Sequence, residues 1–297
     1  MRRLLLVLIG LGVLGAAGFL LLTRPQLRSL AAYEGLAPDL DRGFAVFWAA
    51  GCASCHMAPG AKGEAQLVLA GGQSFPSAFG TFLAPNISPD PAAGIGGWTL
   101  ADFVGVIQDG VSPEGEHIYP ALPYAAYSKL VPLDVVDLKA YMDTLPADPT
   151  PSQPHQVGFP FNIRLAVGGW KLLFLNKDFY LQGDLSPEVT RGRYLAEAMA
   201  HCTECHTPRN LLGGLKTGQW LGGAANPAGK GKIPNITQGK LTWSEAEIVE
   251  YLTSGFTPEF DSVGGPMVHV VENMARLRDS DRQAVAAYLK AIPALAE

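Results

Sequence analysis

The chain contains 297 residues, a length typical of one or two domains, and 48% of them are hydrophobic, enough to build sizeable cores. Charged residues make up 16%, and the formal net charge is −5 at pH 7. An acidic balance gives no sign of a surface that attracts nucleic acid, so we expect no nucleic-acid partner.

The first predicted element is an apolar helix at the N-terminus. Leu4 to Leu22 is a run of 19 residues without a charge, and Arg2 and Arg3 precede it. A secretory signal has an apolar stretch of about 7–15 residues, whereas a membrane-spanning helix needs about 17–25. No small-residue cleavage site follows the run. We predict an uncleaved signal anchor over residues 1–24, with a transmembrane helix at 4–22; a cleaved signal peptide is the alternative.

Two Cys-x-x-Cys-His segments use all four cysteines; they consist of Cys52, Cys55 and His56, and of Cys202, Cys205 and His206. Two thiols at this spacing add across the vinyl groups of haem, and the adjoining histidine binds the iron. A zinc ribbon places its cysteine pairs about 15–20 residues apart, but 146 residues lie between Cys55 and Cys202. A thioredoxin-type pair needs no following histidine. We predict two covalently attached haems c and no disulfide.

The haem motifs and the flanking charges together predict a location. Paired arginines favour a cytoplasmic N-terminus, although Arg24 and Arg28 beyond the span reduce the asymmetry. Haem is attached to this motif in the bacterial periplasm, which agrees with that direction. We predict a single-pass protein of the bacterial inner membrane with its haem domains in the periplasm.

The chain beyond the anchor repeats itself. The matching segments are Arg42-Gly43 with Arg191-Gly192, Pro85-Asn86-Ile87-Ser88 with Pro234-Asn235-Ile236-Thr237, and Trp98 with Trp243. Two copies of a unit of roughly 105 residues account for this pattern. We predict an all-α fold in which an N-terminal transmembrane helix precedes two tandem cytochrome c-type domains. The domains would occupy residues 25–146 and 191–297, with a linker at 147–190.

Each unit has helices with recognisable ends. The helix after each repeated tryptophan opens with a capping box and closes at a glycine: Thr99, Asp102 and Gly110 in one unit, Ser244, Glu247 and Gly255 in the other. Terminal helices are predicted near residues 133–145 and 279–292.

The linker combines a proline-rich start with an apolar stretch. Residues 159–175 are mostly apolar but are interrupted by Arg164 and Lys171, so they are too charged to span a bilayer. We expect this stretch to pack across the two domains. The alternative is a membrane-surface or partner-binding helix with its basic residues snorkelling.

The repeat also predicts the sixth ligand of the second haem. A constant offset of 145 residues places Met267 opposite Leu122, and Met267 lies 61 residues after His206, in Gly264-Gly265-Pro266-Met267. Histidine–methionine ligation raises the potential of haem iron. We predict Met267 as the ligand, in a loop, with Met274 as the reserve and a core-filling role for Met267 as the alternative.

The first haem requires a different ligand, because the side chain of Leu122 cannot bind iron. His117 lies five residues earlier in the same stretch, and its counterpart in the second unit is Ser262. At these two positions the first unit has a histidine and no methionine, and the second unit has a methionine and no histidine. This complementarity makes His117 our candidate for a bis-histidine first haem. An open coordination position and ligation by Met142 are the alternatives.

Other residues are candidates to support the haems. Arg209 would pair with a propionate, since its guanidinium group suits bidentate recognition of carboxylates. Aromatic side chains with an N–H or O–H would line the haem edges; they are Trp98, Trp243, Tyr119 and Tyr124. Asn86 and Asn235 would lock loops around the propionates. Each of these residues could equally be structural.

The sequence resembles the periplasmic diheme cytochromes c related to the multihaem cytochrome subunits of membrane-bound alcohol, aldehyde and gluconate dehydrogenases. The resemblance covers nearly all of residues 42–293. It is carried by Gly51-Cys-Ala-Ser-Cys-His56, Pro85-Asn-Ile-Ser-Pro-Asp90, His117-Ile-Tyr-Pro-Ala-Leu-Pro-Tyr124, His201-Cys-Thr-Glu-Cys-His-Thr-Pro-Arg-Asn210 and Gly264-Gly-Pro-Met267. In the dehydrogenase subunits the third of these segments commonly has methionine on iron where this chain has Leu122, and a third haem domain is usual there.

The resemblance implies electron transfer without substrate chemistry of the chain's own. The implied partners are a periplasmic or membrane dehydrogenase, a quinol-oxidising complex or a terminal oxidase, with the membrane reached through the N-terminal helix. The competing hypothesis is a diheme enzyme, peroxidase-like or thiosulfate-oxidising, with an open or displaceable ligand at the first haem. No cysteine remains as an axial thiolate, which disfavours the thiosulfate-oxidising form.

Overall fold

The computed structural model describes residues 1–227, 229 and 231–296. Its α-helices are α1 (Arg2–Thr23), α2 (Leu40–Ala49), α3 (Cys52–His56), α4 (Leu100–Val104), α5 (Tyr124–Tyr127), α6 (Pro132–Met142), α7 (Arg164–Phe174), α8 (Pro187–Tyr194), α9 (Cys202–His206), α10 (Glu245–Ser254), α11 (Met267–Met274) and α12 (Asp279–Ala291). The helical class predicted from the sequence is confirmed.

Within the described part of the chain, two antiparallel hairpins, which the sequence analysis did not predict, accompany the helices. Strand β1 (Ser74–Ser77) pairs with β2 (Gly80–Leu83), with Ser74 opposite Leu83. Strand β3 (Ala224–Ala225) pairs with β4 (Lys232–Ile233). One hairpin follows each haem motif, so they belong to the same repeat as the helices.

Helix α1 is long and apolar enough to cross a membrane. It carries no charged residue from Leu4 to Leu22, and within the structure it is exposed along nearly its whole length, with Thr23 at its end buried. The protein itself leaves this apolar surface uncovered, so only a separate apolar environment, such as the hydrocarbon layer of a membrane, would bury it. A signal sequence near the N-terminus can also form an apolar helix long enough to meet this description.

Each domain is closed by a pair of crossed helices, α2 with α6 and α8 with α12. A glycine lies at each crossing: a Cβ added to Gly43 would lie 2.3 Å from the Asp137 carbonyl oxygen, and one added to Gly192 would lie 1.8 Å from that of Ala284. The arginine before each glycine binds a carboxylate on the opposite helix, Arg42 to Asp137 at 2.7 Å and Arg191 to Asp281 at 2.8 Å. The repeated Arg-Gly pair therefore fixes how closely the first and last helices of each domain approach.

The predicted helix ends are confirmed. The capping boxes form at Thr99 with Asp102 and at Ser244 with Glu247. Gly110 and Gly255 adopt left-handed conformations with φ of 60° and 78°. In the first domain the helix is not α-helical throughout, because α4 continues as a π-helical turn over Gly105–Asp109.

The linker helix α7 contacts both domains. Lys171 Nζ donates to the carbonyl oxygens of Asp109 and Gly110, each at 2.7 Å, in the first domain. Trp170 Nε1 donates to the carbonyl of Leu212 in the second at 3.0 Å. The linker thus packs across the two domains, as the sequence analysis expected.

Candidate haem sites

Each Cys-x-x-Cys-His segment forms one short helix that begins after a left-handed residue. Gly51 precedes α3 with φ 68°, and His201 precedes α9 with φ 41°. Within each helix the first cysteine is half-buried and the second is exposed, while the residue directly after the first cysteine, Ala53 or Thr203, packs inward. Residues three apart lie on the same face of a helix. Both sulfur atoms of each segment are therefore presented to one side.

The motif histidines are oriented by backbone carbonyls. His56 Nδ1 lies 2.9 Å from the Pro85 oxygen, and His206 Nδ1 lies 2.8 Å from the Pro234 oxygen. A carbonyl can only accept, so Nδ1 carries the proton and Nε2 keeps its lone pair for a metal. Burial lowers the pKa of both imidazoles, and the carbonyl contact opposes that shift only in part. Both rings are therefore neutral, as an iron ligand must be.

The cysteine surroundings also fit covalent haem. Burial raises the pKa of Cys52 and of Cys202 to about 12, and repulsion from Cys55 and Cys205 respectively adds to the shift. Such surroundings favour a neutral sulfur over a thiolate. A thioether to a haem vinyl group is neutral, whereas a zinc site requires thiolates. Each segment therefore presents two neutral sulfurs for thioether bonds to the porphyrin and one imidazole Nε2 for the iron, a combination that fits haem c.

The two haem motifs lie against each other across the domain interface. The carbonyl of Ala50, just before α3, accepts from Tyr127 at 2.8 Å and lies 3.3 Å from Nε2 of His201, the residue before α9. Asn273 of the second domain donates to Ser54 Oγ, inside the first motif, at 2.9 Å. Desolvation by the protein atoms that crowd around Cys55, and then repulsion from Cys205, raise the pKa of the Cys55 thiol to about 11, although part of its surface is exposed. The exposed cysteines of the two motifs are thus electrostatic neighbours.

Met267 lies at the start of a helix rather than in the predicted loop. It is the first residue of α11, partly exposed, and packs at the edge of the core. Met274, the reserve candidate, is 3% exposed at the other end of the same helix. The assignment of Met267 as sixth ligand stays a prediction, and its position leaves the thioether more accessible than that of Met274.

His117 binds the backbone at the end of α1. Its Nε2 lies 2.6 Å from the Thr23 oxygen, and its Nδ1 is buried without a hydrogen-bond partner among the described residues. Because the Thr23 carbonyl oxygen can only accept, Nε2 carries the proton and Nδ1 keeps the lone pair. His117 would therefore reach iron through Nδ1, and its role as ligand stays a prediction.

The alternatives for the first haem have clear positions. Leu122 lines a small cleft between the domains, together with Arg209 and Glu204 of the second. Met142 is 3% exposed within the core of the first domain. Its burial among apolar side chains gives it a packing role that is sufficient to explain it.

The proposed propionate-binding residues have protein partners. Arg209 pairs with Glu204 and donates to the Gly213 carbonyl at 2.7 Å. Asn86 uses both amide hydrogens on the carbonyls of Asp148 and Thr150. Asn235 donates to the carbonyl of Leu295 at 3.0 Å. Each asparagine thus ties the loop after its hairpin to the segment that follows the domain's last helix, and a role at propionates stays a prediction.

The aromatic candidates differ in their surroundings. Tyr119 donates to the Phe161 carbonyl at 3.1 Å, whereas the Tyr124 hydroxyl is buried without a hydrogen-bond partner among the described residues. Trp98 packs on the core, and the ring of Trp243 lies 5.1 Å from that of Tyr251. The contact of these four side chains with haem stays a prediction.

Sequence reasoning missed the residues that orient the haem ligands. Pro85 and Pro234 act through their carbonyls, which side-chain patterns do not reveal, although both open the repeated Pro-Asn-Ile segment. The Ser54–Asn273 contact joins residues 219 positions apart, and no local sequence pattern predicts it.

The sequence of this chain is similar to those of known cytochromes c in both segments that contain a haem motif. The cytochrome c family model matches residues 40–146 and 189–293. A "Diheme cytochrome c-type" protein of Cereibacter sphaeroides is 52% identical over 295 residues, covering 99% of this chain and all of the relative. The "Fructose dehydrogenase cytochrome subunit" of Gluconobacter japonicus is 37% identical, covering 88% of this chain and 54% of the relative. The "Alcohol dehydrogenase (quinone), cytochrome c subunit" of Gluconacetobacter polyoxogenes is 32% identical, covering 89% of this chain and 60% of the relative.

These matches bear on the cofactor prediction. Two matched domains, each with a complete Cys-x-x-Cys-His segment, and a diheme relative over the whole length establish two covalently bound haem c groups. The chain spans only about half of the fructose dehydrogenase cytochrome and about three fifths of the alcohol dehydrogenase cytochrome.

Proposed function

The chain belongs to the cytochrome c family, with two copies of the domain in tandem, and we propose that it is a membrane-anchored electron carrier. It would receive electrons from a periplasmic or membrane dehydrogenase, or another respiratory donor, and pass them to an acceptor such as a terminal oxidase. Haem supplies the one-electron chemistry when bound, and the protein supplies position, ligands and burial.

The observation that carries this proposal is the contact between the two haem motifs. Ala50 and Ser54, on either side of Cys52, bond to His201 and Asn273 of the second domain. The second cysteine of each motif is exposed and lies within electrostatic reach of the other. Two haems bound there would be neighbours with edges near the surface. This arrangement suits entry of an electron at one haem and exit from the other.

The identity of the partners is proposed from the relatives. The relatives named for fructose, alcohol and gluconate dehydrogenases are cytochrome subunits, so we propose a dehydrogenase as donor. Some of them are named as parts of quinone-dependent alcohol dehydrogenases, which makes the quinone pool or a quinol-oxidising complex a natural neighbour. Helix α1 would hold the carrier at the periplasmic face of the inner membrane, within reach of both.

The axial ligands would set the direction of electron flow. We propose histidine–methionine ligation at the second haem, through His206 and Met267. We propose bis-histidine ligation at the first, through His56 and Nδ1 of His117. Methionine ligation favours the reduced iron. The second haem would then have the higher potential, and an electron would rest there at equilibrium.

A diheme enzyme is the second candidate, and one observation favours it. Leu122 stands at the position that the repeat aligns with Met267, the proposed ligand of the second haem, while Nε2 of His117 lies 2.6 Å from the Thr23 carbonyl oxygen. A first haem without a sixth ligand would be open to peroxide or another small substrate. Rapid binding of cyanide or carbon monoxide to the purified protein would support the enzyme.

The test of the carrier is a redox titration of the full-length protein in detergent, followed optically and by low-temperature electron paramagnetic resonance. We expect two haems per chain, two low-spin signals, two separate potentials and no rapid binding of carbon monoxide. One haem per chain would contradict the two tandem haem sites, and a high-spin first haem in the untreated protein would contradict the proposed ligation by His117. An N-terminus near residue 24 in the purified protein would contradict the anchor.

A further inference from the structure

Helix α7 has its charged residues turned toward the protein. Arg164 donates to the His117 carbonyl at 2.9 Å and lies 4.4 Å from the centroid of the Tyr119 ring. Lys171 donates to the carbonyls of Asp109 and Gly110. The other face of the same helix carries Leu165, Leu172 and Leu173, all exposed. A surface helix in water has the opposite arrangement, with its charges outward and its leucines inward.

The apolar face of α7 continues onto the second domain. Trp170 binds the Leu212 carbonyl and so holds the loop of Leu211 and Leu212 beside the helix. Leu211 is 97% exposed and Leu173 is 70% exposed. We call the set Leu165, Leu172, Leu173, Leu211 and Leu212 the linker patch. A group of exposed leucines of this kind marks an interaction surface.

The linker helix lies at the end of α1. A Cβ on Gly168 would lie 2.4 Å from the Thr23 oxygen, and one on Gly169 would lie 3.2 Å from the ring of Phe19. Phe19 is four residues before the end of α1, about 6 Å along its axis. Since residues 4–22 would fill the hydrocarbon layer, α7 is level with the last turn of the span. The two glycines permit this close approach.

We propose that the linker patch enters the outer surface of the bilayer, so that α7 is an interfacial helix beside the membrane anchor. The inference rests on the proposed anchoring by α1. It commits to lipid because the bilayer that surrounds Phe19 necessarily reaches α7, whereas a protein partner would have to displace that lipid. Leucines at the acyl boundary and basic side chains withdrawn to carbonyls are the arrangement an apolar surrounding favours.

This placement has a consequence for the haems. The first domain is held by Lys171 and the second by Trp170, so a helix fixed in the interface would hold both at a defined height above the membrane. The docking surface for the redox partners would be oriented accordingly.

The test is photolabelling of the full-length holoprotein in phosphatidylcholine vesicles that contain a diazirine-bearing phospholipid. Trypsin releases Leu172–Lys177 from the linker patch, Leu4–Arg28 from the anchor and Leu241–Arg276 from the second domain. The last contains Phe256 and Phe260, which are 52% and 87% exposed and serve as the control. We expect lipid adducts on the first two peptides and severalfold fewer on the third.

The labelling results distinguish failure of the interfacial position of α7 from failure of the membrane anchor α1. If lipid labels Leu4–Arg28 but not Leu172–Lys177, the anchor stands and the inference is overturned. The inference is also overturned if a protein partner or a second copy of the chain is found to cover the linker patch. No labelling of either would contradict the anchor itself. In the variant Leu172→Asp with Leu173→Asp, adducts on the linker peptide should fall severalfold, whereas Phe260→Asp should leave them unchanged. An unchanged haem spectrum confirms that each variant is folded.

Discussion

Replacement of Gly192 by alanine tests the helix crossing that closes the second domain. The new methyl group would lie 1.8 Å from the Ala284 carbonyl oxygen, and contacts under 3.0 Å are not tolerated. That oxygen belongs to the backbone of α12 and cannot rotate away, so the two helices must separate. Overpacking of this kind costs about 1–3 kcal/mol, against about 1 kcal/mol gained in helix propensity. Because the backbone must move, we expect a cost at the upper end of that range, about 3 kcal/mol, and therefore a net loss of about 2 kcal/mol.

The assay is thermal or guanidinium unfolding of the holoprotein, followed by far-ultraviolet circular dichroism and by haem absorbance. A loss of about 2 kcal/mol would lower the Tm of a domain of this size by roughly 10 °C. Gly43→Ala, with its clash at 2.3 Å, should destabilise the first domain less. Gly218→Ala is the control, because a Cβ there meets nothing within 4 Å. A Gly192→Ala protein as stable as the wild type would refute the close crossing of α8 and α12.

Three further predictions concern the haems and the linker. Met267→Leu should abolish any far-red methionine-to-iron band and lower the higher potential; a surviving band would transfer the assignment to Met274. His117→Ala should leave the first iron high-spin and able to bind carbon monoxide, and two unchanged low-spin signals would show that the histidine serves only Thr23. Burial lowers the pKa of Lys171 from 10.5 to about 8. Between about pH 8 and pH 10.5 the unfolded chain binds more protons than the folded chain. The free energy of unfolding of the wild type should therefore rise with pH relative to that of Lys171→Met. If the two free energies of unfolding change with pH in parallel, Lys171 is not a buried, charged lysine.

The sequence by itself determined the cofactor, its number and the repeat. Two copies of cysteines at this spacing, each with a histidine directly after the second cysteine, favour haem attachment over a zinc ribbon or a thioredoxin-type pair, and this inference needs only local sequence. The capping boxes and terminal glycines located the helices after Trp98 and Trp243, because these signals involve residues within a few positions of one another. The sequence also predicted a helix long enough to span a membrane at residues 4–22, since this prediction depends only on the length and composition of an apolar run.

Tertiary structure decided which way each side chain points and what it meets. The bonds from His56 and His206 to proline carbonyls join residues 29 and 28 positions apart, and the contact of His117 with Thr23 spans 94. Sequence patterns record side-chain identity, but these acceptors are backbone oxygens that every residue possesses. The sequence could likewise show that α7 is amphipathic, but not that its charges turn inward. That orientation depends on the carbonyls of Asp109, Gly110 and His117, which only the packed domains bring together.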